Sequence, residues 1–351
     1  INMKKIMPSN YEMWGKPKFE GKSFLEFSQD LISVSSLAAS SHNTQPWRFV
    51  VSEKSQSITL KLNDERVLSA SDVNKRQAII SCGCALENMR VALDYHGVKY
   101  SLTINSDISS ETIAEIKIHD NLAIKKNKQL QTIFDSIFTR RVNRSKCTDK
   151  KVPDEFLDLI MKDEYGLEIR TIKDMVTKNA ISEIQEQADR FVLGNDKFRK
   201  ELGEWLLPNS TDSYLGMPGS TFGLKDVEAE KIHKQLLSGK LDYDLASGVA
   251  VSDRQRIQTS PLLLVITGKD TKEDWIKTGC LWQKIALIAE SMGISVAVSA
   301  AIVEVPLLSK MMSVRLGTTS RPLMITTIGY ATEERPHSPR LPVSQLISFT
   351  D

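Results

Sequence analysis

Apolar residues recur at helical spacing in several stretches of the chain, and short alternating runs lie between them. Between residues 24 and 39 they stand at Phe24, Phe27, Leu31 and Val34, which predicts an amphipathic helix. The same reasoning predicts helices over residues 77–95, 152–160, 176–191 and 279–293, and strands over residues 47–51, 58–62, 100–104, 113–118, 167–172, 262–267, 295–299 and 323–330. This mixture indicates an α+β fold.

Two of the predicted helices can be laid over each other without a gap. Residues 83–97 and residues 279–293 both begin Gly-Cys, carry an acidic residue near the end at Asp94 and Glu290, and stop at a glycine. A strand-like run precedes and follows each of them. One helix could match by chance, but the flanking strands favour two tandem, degenerate copies of one unit, which would form an intramolecular pseudo-dimer.

The predicted domains follow from this repeat. Residues 1–22 read as an N-terminal arm, residues 23–124 as the first half, and residues 125–351 as the second half, opened by a charged, helical linker over residues 125–131. Residues 194–248 show little periodicity and form an insert in the second half. Such inserts are often lids or binding loops, although a solvated excursion is equally compatible with the pattern.

Composition narrows the classes of partner. The chain has 351 residues, with 46 Lys and Arg against 44 Asp and Glu, so its net charge of +2 indicates neither a nucleic-acid nor a membrane partner. No signal peptide or membrane span is apparent, and the four cysteines are scattered without the spacing of a disulfide framework or a metal site. We expect a cytoplasmic protein without a metal.

A polar loop joins the first helix to the first strand, and its sequence is Ser40-Ser41-His42-Asn43-Thr44-Gln45-Pro46-Trp47. Hydroxyl and amide groups are dense here, and Pro46 makes the chain extended before the strand begins. Such a junction presents short side chains and backbone N–H groups to a ligand. Read alone, it is also compatible with a simple turn capped by Ser and Asn.

Arginines are concentrated in a second segment, where Arg140, Arg141 and Arg144 lie within five residues. Guanidinium groups bind phosphate through paired hydrogen bonds, although such a cluster is also compatible with a solvated basic face. A further arginine, Arg340, stands in the extended run Pro339-Arg340-Leu341-Pro342.

Together these motifs resemble the FMN-dependent nitroreductase superfamily, and the tandem arrangement resembles its Acg-like branch. The resemblance implies a nitroreductase-like fold in which Arg140, Arg144 and Arg340, with Arg141 in the same cluster, hold the FMN phosphate. It implies further that Ser40, Ser41 and Asn43 line the isoalloxazine, and that the segment Ser299, Ala300 and Ala301 lies over the flavin edge. His42 is expected to be a loop donor or a lid contact rather than a catalytic acid.

The two halves divide the motifs between them. The first half has the Ser-Ser loop without an arginine cluster, and the second half has the arginines but carries Lys-Asp-Glu-Tyr-Gly-Leu-Glu at residues 162–168 in place of the loop. Since each site of the family combines one motif from each subunit, the resemblance implies one FMN per chain and allows a monomer.

The resemblance implies hydride transfer from NAD(P)H to FMN and then to a nitroaromatic or quinone-type acceptor, with no catalytic side chain required. The alternative function is FMN sequestration without turnover, in which a lid excludes NAD(P)H, as described for the Acg-like branch. Val142 stands where ordinary family members have Ser, and Ala300-Ala301 replaces a Glu-Gly pair of some members. These departures bear on the phosphate site and on the surroundings of the flavin.

Overall fold

The chain is built from both helices and strands. The structure, a computed structural model, describes residues 9–20, 22–119, 124–162, 164–239 and 243–350; in the last of these ranges it describes side chains from residue 247 onwards. The helices are α1 (Phe24–Ser35), α2 (Arg76–His96), α3 (Gln131–Ser136), α4 (Asp154–Ile160), α5 (Met175–Leu193), α6 (Asp196–Trp205), α7 (Asp226–Leu237), α8 (Tyr243–Thr259), α9 (Lys272–Ser291), α10 (Ala301–Glu304) and α11 (Pro306–Arg315). The strands are β1 (Trp47–Ser52), β2 (Ser57–Leu62), β3 (Lys99–Ile104), β4 (Thr112–His119), β5 (Glu168–Ile172), β6 (Leu206–Leu207), β7 (Met217–Pro218), β8 (Leu262–Gly268), β9 (Ser295–Val298), β10 (Arg321–Gly329) and β11 (Ile347–Thr350).

The two larger sheets share the same strand order. The first sheet runs β11-β1-β2-β4-β3 and the second runs β5-β8-β10-β9. Without β11, each sheet places its first, second, fourth and third strands side by side, with antiparallel neighbours throughout. In each, the long helix, α2 or α9, lies in sequence between the second and third strands. The α+β expectation is therefore confirmed at the level of a mixed α and β fold.

The helices α2 and α9 cross at the centre of the molecule, where Gly83 faces Gly279. A Cβ atom on Gly83 would lie 2.2 Å from the carbonyl oxygen of Ile276, and one on Gly279 would lie 1.9 Å from that of Ile80. Both distances are far below any normal contact. The Gly-Cys pairs of the sequence thus mark a backbone-to-backbone approach, and the adjacent Cys84 and Cys280 are buried free thiols.

The C-terminal strand crosses from the second sheet to the first. β11 pairs in parallel with β1, with Phe49 opposite Ile347 and Ser52 opposite Thr350. The segment that leads into it carries Arg340, which is buried. One chain end therefore contributes both to the first sheet and to the region beside the Ser-Ser loop.

The insert is more regular than its sequence pattern indicates. Residues 194–248 show little periodicity in the sequence, but α6 and α7 occupy much of this range. Asn195 caps the start of α6, where its side-chain oxygen accepts hydrogen bonds from the backbone N–H groups of Lys197 and Phe198. Six of the ten residues of α6 are charged and its buried residues are Glu201 and Gly203, while α7 buries Ala229 and Leu236. The linker at residues 125–131 is helical only in part: a 3₁₀ turn at Lys128–Leu130 leads into α3.

Among the described residues, none of the helices combines the length and apolar character that would let it cross a membrane. Within the same part of the chain, no group of three or more His, Cys, Asp or Glu side chains is placed to hold a metal ion.

Candidate functional site

A cavity of about 490 Å³ opens where the Ser-Ser loop, the arginine segment, α5, the insert and the C-terminal segment meet. This volume lies within the roughly 300–1,000 Å³ range of cofactor and small-molecule sites. The structure brings together nearly all of the residues singled out from the sequence, and those that line the cavity are Ser40, Ser41, His42, Asn43, Arg140, Arg141, Arg144, Ala300, Ala301 and Arg340. Ser299 is buried beside the cavity, where its hydroxyl accepts a hydrogen bond from Arg256 (3.0 Å).

The two serines of the loop hold its shape. Ser40 Oγ accepts the backbone N–H of Gln45 (3.0 Å), which closes the loop on itself. Ser41 donates its hydroxyl to Gln77 Oε1 (2.6 Å) and its backbone N–H to Ser81 Oγ (3.1 Å), both on α2. These bonds fix the loop against itself and against α2, and both serines also lie on the cavity wall.

Asn43 connects the loop to two distant segments. Its Nδ2 donates to the carbonyl oxygens of Gly216 (2.8 Å) and Pro339 (3.0 Å), and its Oδ1 accepts from Arg340 Nη1 (2.8 Å). The side chain is buried, and all of these bonds are made within the protein. Asn43 thus fixes the loop against the insert and the C-terminal segment.

The loop backbone is strained. His42, Asn43 and Gln45 have φ angles of 48°, 54° and 49°, which is the left-handed region that non-glycine residues rarely occupy. Each such residue costs on the order of 1–3 kcal/mol, and such strain concentrates at functional sites. The bonds of Ser40, Ser41 and Asn43 maintain this conformation.

His42 is a neutral ring at the cavity wall. Burial lowers the pKa of His42 to about 4, with a smaller lowering from Arg144 and a partial offset from Glu201. Its Nδ1 atom is buried without a hydrogen-bond partner among the described residues. His42 is therefore uncharged at neutral pH, and one ring nitrogen is available to a ligand or to a water molecule.

The arginine segment is held against the second sheet. Val142 forms a parallel bridge with Val296 of β9, and Asn143 donates its backbone N–H to the carbonyl of Val296 (3.0 Å). Arg140, Arg141 and Arg144 of this segment all line the cavity.

Arg140 and Arg144 both contribute guanidinium groups to the cavity wall. Arg140 is 3% exposed and donates from Nη2 to the carbonyl of Leu37 (3.2 Å), while its Nε and Nη1 have no partner in the described part of the chain. Arg144 places its guanidinium 4.8 Å from the centre of the Phe222 ring. Burial lowers the pKa of Arg140, and burial with Arg256 lowers the pKa of Arg144 to about 10. Buried positive charge without an anion is costly, and a bound anion would offset that cost.

Arg340 uses most of its N–H donors in hydrogen bonds to Asn43 and to nearby backbone carbonyl groups. Besides Asn43, it donates from Nη1 to the carbonyl of Pro339 (2.9 Å) and from Nη2 to those of Leu37 (3.2 Å) and Ala38 (3.0 Å). Only its Nε lacks a partner among the described residues. Burial and, less strongly, Arg140 lower the pKa of Arg340 to about 9. Arg340 therefore braces the loop and adds positive charge to the cavity wall.

Arg141 is less engaged. It is half-buried, and its Nη2 lies 3.9 Å from a carboxylate oxygen of Glu334, which is almost fully exposed. An ion pair of this kind contributes little to stability.

The N-terminal arm covers the same end of the cavity. The Trp14 ring stacks on His337 with a centroid distance of 4.0 Å, and its Nε1 donates to the carbonyl of Ser338 (3.0 Å). Burial lowers the pKa of His337 to about 4, and the neighbouring arginines lower it further, while its bond to Thr139 offsets part of the effect. Nearby, Asn10 donates to the carbonyl of Ser213 in the insert (3.0 Å).

The insert is hydrogen-bonded both to the Ser-Ser loop and to residues 70–71, which precede α2. Glu201 of α6 accepts the backbone N–H groups of Ala70 (2.6 Å) and Ser71 (3.0 Å), and Gln45 donates to the carbonyl of Tyr214 (2.7 Å). Phe222 lines the cavity, whereas Trp205 is not among its lining residues. The insert thus forms part of the cavity wall.

One relative is similar to this chain along almost its whole length. The chain is 21% identical over 327 residues to "Putative NAD(P)H nitroreductase acg" of Mycobacterium tuberculosis, and the match covers 90% of this chain and 93% of that protein. This similarity supports the resemblance to the Acg-like branch of the nitroreductase superfamily. In this chain the Ser-Ser loop, the arginine segment and Arg340 meet at one cavity.

Other comparisons cover less of this chain. It is 47% identical over 58 residues to "Uncharacterized protein Rv3127" of M. tuberculosis, a match that spans 16% of this chain and only 17% of that relative. Among solved structures, the FMN-dependent nitroreductase NfnB from Mycobacterium smegmatis in complex with NADPH is 16% identical, covers 64% of this chain and 100% of its own, and has a TM-score of 0.41. No family model matches the chain.

The cavity is also lined by polar residues that the sequence did not single out. Gln185 and Asp189 of α5 and Asp253 of α8 line it, and the buried Arg256 lies behind them. Gln185 and Asp189 stand four residues apart, which places them on one face of the helix, and that face is buried. The spacing was visible in the sequence, but polar residues at this separation also fit a solvated helix face.

Proposed function

We propose that this chain is an FMN-binding oxidoreductase of the nitroreductase type, which passes hydride from NAD(P)H through the flavin to a nitroaromatic or quinone-type acceptor. The observation that carries the proposal is the set of buried guanidinium groups with unpartnered N–H donors at a cavity of cofactor size. Unsatisfied buried donors are rare in proteins, and a phosphate would satisfy them.

In this proposal Arg140 and Arg144 bind the FMN phosphate, with Arg141 close by. Arg140 offers two unpartnered N–H donors, at Nε and Nη1, to phosphate oxygens. Arg340 contributes through its charge and its Nε, and mainly by holding the loop in place. Val142 makes a backbone bridge instead of supplying a hydroxyl, so the arginines provide the phosphate contacts.

The flavin ring would lie between the Ser-Ser loop and the segment Ser299, Ala300 and Ala301. The first N–H groups of a helix have no partner within the helix, and α10 begins at Ala301 on the cavity wall. Small side chains at Ala300 and Ala301 allow the ring to approach that backbone. When bound, the flavin would supply the electron transfer, and the protein would supply position and hydrogen bonds.

We further propose that the two halves are tandem copies of one unit, with the boundaries predicted from the sequence, forming an intramolecular pseudo-dimer. The shared strand order supports this, and so do two matched contacts. Arg76 at the start of α2 donates to the carbonyl of Leu323 in β10 (2.8 Å), and Lys272 at the start of α9 donates to that of Thr112 in β4 (2.8 Å). Each long helix thus begins on the fourth strand of the opposite half.

One FMN per chain follows from an asymmetry between these halves. The connection between β9 and β10 carries α10 and the segment Ser299, Ala300 and Ala301, whereas the equivalent connection between β3 and β4 is a short turn at residues 105–111. Carbonyl oxygens of Asp107 and Ser110 in this turn accept from Lys272 (2.7 and 2.8 Å). Among the described residues, the connection that would cover a flavin is therefore present in one half, which supports one FMN per chain. With the pseudo-dimer inside one chain, a monomer suffices.

A second candidate function is sequestration of FMN without turnover. It is favoured by the hydrogen bonds that fasten the insert over the cavity from Glu201, Gln45 and Asn43. If these bonds persist with flavin bound, a nicotinamide donor has no room to stack on the ring.

One experiment separates the two functions. The purified protein is loaded with FMN, its visible spectrum is recorded, and NADPH is added without oxygen. Rapid bleaching of the yellow colour supports the oxidoreductase. A yellow protein that NADPH leaves oxidised and dithionite reduces supports sequestration. A colourless protein that takes up no FMN contradicts both.

A further inference from the structure

The wall that α5 and α8 contribute to the cavity carries a buried polar group that the proposed flavin site leaves unused. Gln185 is 1% exposed and Asp189 is 6% exposed, and both line the cavity together with Asp253. The proposed flavin contacts come instead from the Ser-Ser loop, the arginine segment and the start of α10.

The hydrogen bonds around Asp189 leave one of its oxygens open. Gln185 Nε2 donates to Asp189 Oδ1 (2.8 Å), and Asp189 Oδ2 has no partner among the described residues. The nearby Arg256 directs its Nη2 to Asp253 Oδ1 (3.2 Å) and to Ser299 Oγ (3.0 Å). Its Nε and Nη1 have no partner among the described residues, so Arg256 makes no hydrogen bond to Asp189.

This environment keeps Asp189 protonated near neutral pH. Burial and the charge of Asp253 raise the pKa of Asp189 to about 8, with a small rise from Glu186 and offsets from Gln185 and Arg256. Because Oδ1 already accepts from Gln185, the proton resides on Oδ2. A buried carboxylic acid with a free O–H is a hydrogen-bond donor that lacks an acceptor.

The rest of the wall indicates the kind of ligand that would supply the acceptor. Phe198, Phe222 and Trp282 line the same cavity and offer flat apolar surface. An anionic ligand would be drawn to the arginines, so the Asp189 wall suits an uncharged one. A neutral aromatic molecule bearing a carbonyl or nitro oxygen meets both conditions.

We propose that Asp189, oriented by Gln185, donates a hydrogen bond to the carbonyl or nitro oxygen of a neutral aromatic electron acceptor in this cavity. The inference rests on the proposed function for the identity of the ligand as an acceptor, but the binding step itself requires no flavin. Asp189 is then a specificity-determining residue for the acceptor.

The test is equilibrium dialysis of 2-methyl-1,4-naphthoquinone, which does not titrate between pH 6.5 and 9, against the flavin-free and the FMN-loaded protein. The wild-type protein is compared with Asp189→Asn, whose amide still donates, and with Asp189→Leu, which cannot. Glu183→Gln serves as the control, since Glu183 lies on the same helix and its side chain is 59% exposed.

We expect the affinity of the wild-type protein to fall roughly tenfold between pH 7 and pH 9, because an ionised Asp189 repels the ligand oxygen. Asp189→Asn should bind within about threefold of wild type at pH 7 and lose the pH dependence, Asp189→Leu should bind roughly tenfold more weakly, and Glu183→Gln should match wild type.

The proposal is overturned if the wild-type protein binds no quinone saturably, if its affinity is the same at pH 7 and pH 9, or if Asp189→Leu binds as tightly as wild type. Should the leucine variant not fold, the pH profiles of wild type and Asp189→Asn decide the question. A protein that takes up no FMN but shows this pattern without flavin refutes the proposed function and retains the Asp189 site.

Discussion

Arg340 and Asn43 join two parts of the chain that lie 297 positions apart. Together with the carbonyl bonds from Arg340 to Leu37 and Ala38, they hold a loop whose backbone is strained at three residues. At the scale of single residues, the conformation of the Ser-Ser loop is therefore held by hydrogen bonds from a distant segment of the chain. The side chains that the resemblance assigned to flavin contact also keep the loop in position.

Arg340→Ala should weaken FMN retention by two effects, the loss of charge at the phosphate and the relaxation of the loop. We expect a loss of roughly 10- to 100-fold in affinity, the range of one or two charge-assisted hydrogen bonds. Fluorescence titration of the flavin-free protein with FMN measures it. Arg315→Ala, at an exposed position of α11, is the control. Equal affinities for the two variants would reject a role for Arg340 at the site.

Arg140→Met should reduce FMN affinity by a similar factor while leaving the loop intact, because Arg140 makes a single bond to Leu37 and offers two unused donors. The decisive comparison is between FMN and riboflavin, which lacks the phosphate. The variant should lose affinity for FMN and keep its affinity for riboflavin, and an equal loss for both ligands would contradict the phosphate assignment.

His42 should make the flavin-free protein sensitive to acid. Its pKa is near 6.5 when unfolded and about 4 when folded. Between these values the unfolded state binds more protons, so the free energy of unfolding is fully retained above pH 6.5 and is lost as the pH falls towards 4, by at most about 3 kcal/mol.

His42→Asn, which tolerates a positive φ angle, should flatten that part of the profile. Urea melts at pH 7, 5.5 and 4.5 measure the effect in both proteins. Identical pH profiles would show that His42 is not the responsible group.

At the scale of secondary-structure elements, the crossing of α2 and α9 fixes how the two sheets face each other. Its geometry depends on the absence of side chains at Gly83 and Gly279, where a Cβ atom would overlap a carbonyl oxygen of the other helix. The Gly-Cys pairs in the sequence pointed to a repeat, but a sequence pattern cannot show which two helices touch.

Gly279→Ala should destabilise the protein by several kcal/mol, because the clash is with backbone that cannot rotate away. Gly248→Ala is the matched control: Gly248 also lies in a helix, but no atom lies within 4 Å of the added Cβ, so a small gain from helix propensity is expected. Thermal unfolding followed by circular dichroism measures both. A stable Gly279→Ala protein would show that the helices can move apart at little cost.

Much of the element order could be predicted from the sequence, since long apolar helices such as α2 and alternating strands such as β2 have clear periods. Helix α6 was not predicted, because six of its ten residues are charged and the residues that it buries are Glu201 and Gly203 rather than apolar side chains. The parts of the candidate site that lie in sequence motifs, namely the Ser-Ser loop, the arginine segment and Arg340, could be singled out in advance. Gln185, Asp189 and Arg256 were missed because their significance depends on which residues the fold brings beside them.

At the scale of the whole molecule, segments that are far apart in the sequence are joined around the first half. The C-terminal strand joins the first sheet, the N-terminal arm covers His337, and the insert is bonded to the loop. If the two halves are indeed a pseudo-dimer, the protein should be a monomer that binds one FMN. Analytical ultracentrifugation with flavin absorbance measures both quantities together. Two flavins per chain would reject the division of motifs between the halves.

The contacts of Arg340 and β11 set an order of events during biosynthesis. Both follow the loop and the first sheet by about 300 positions, yet they brace that loop and pair with β1. Until Arg340 and β11 have been synthesised, the first half therefore has an open strand edge at β1 and an unbraced loop. Nascent chains stalled before Arg340 should depend on chaperones.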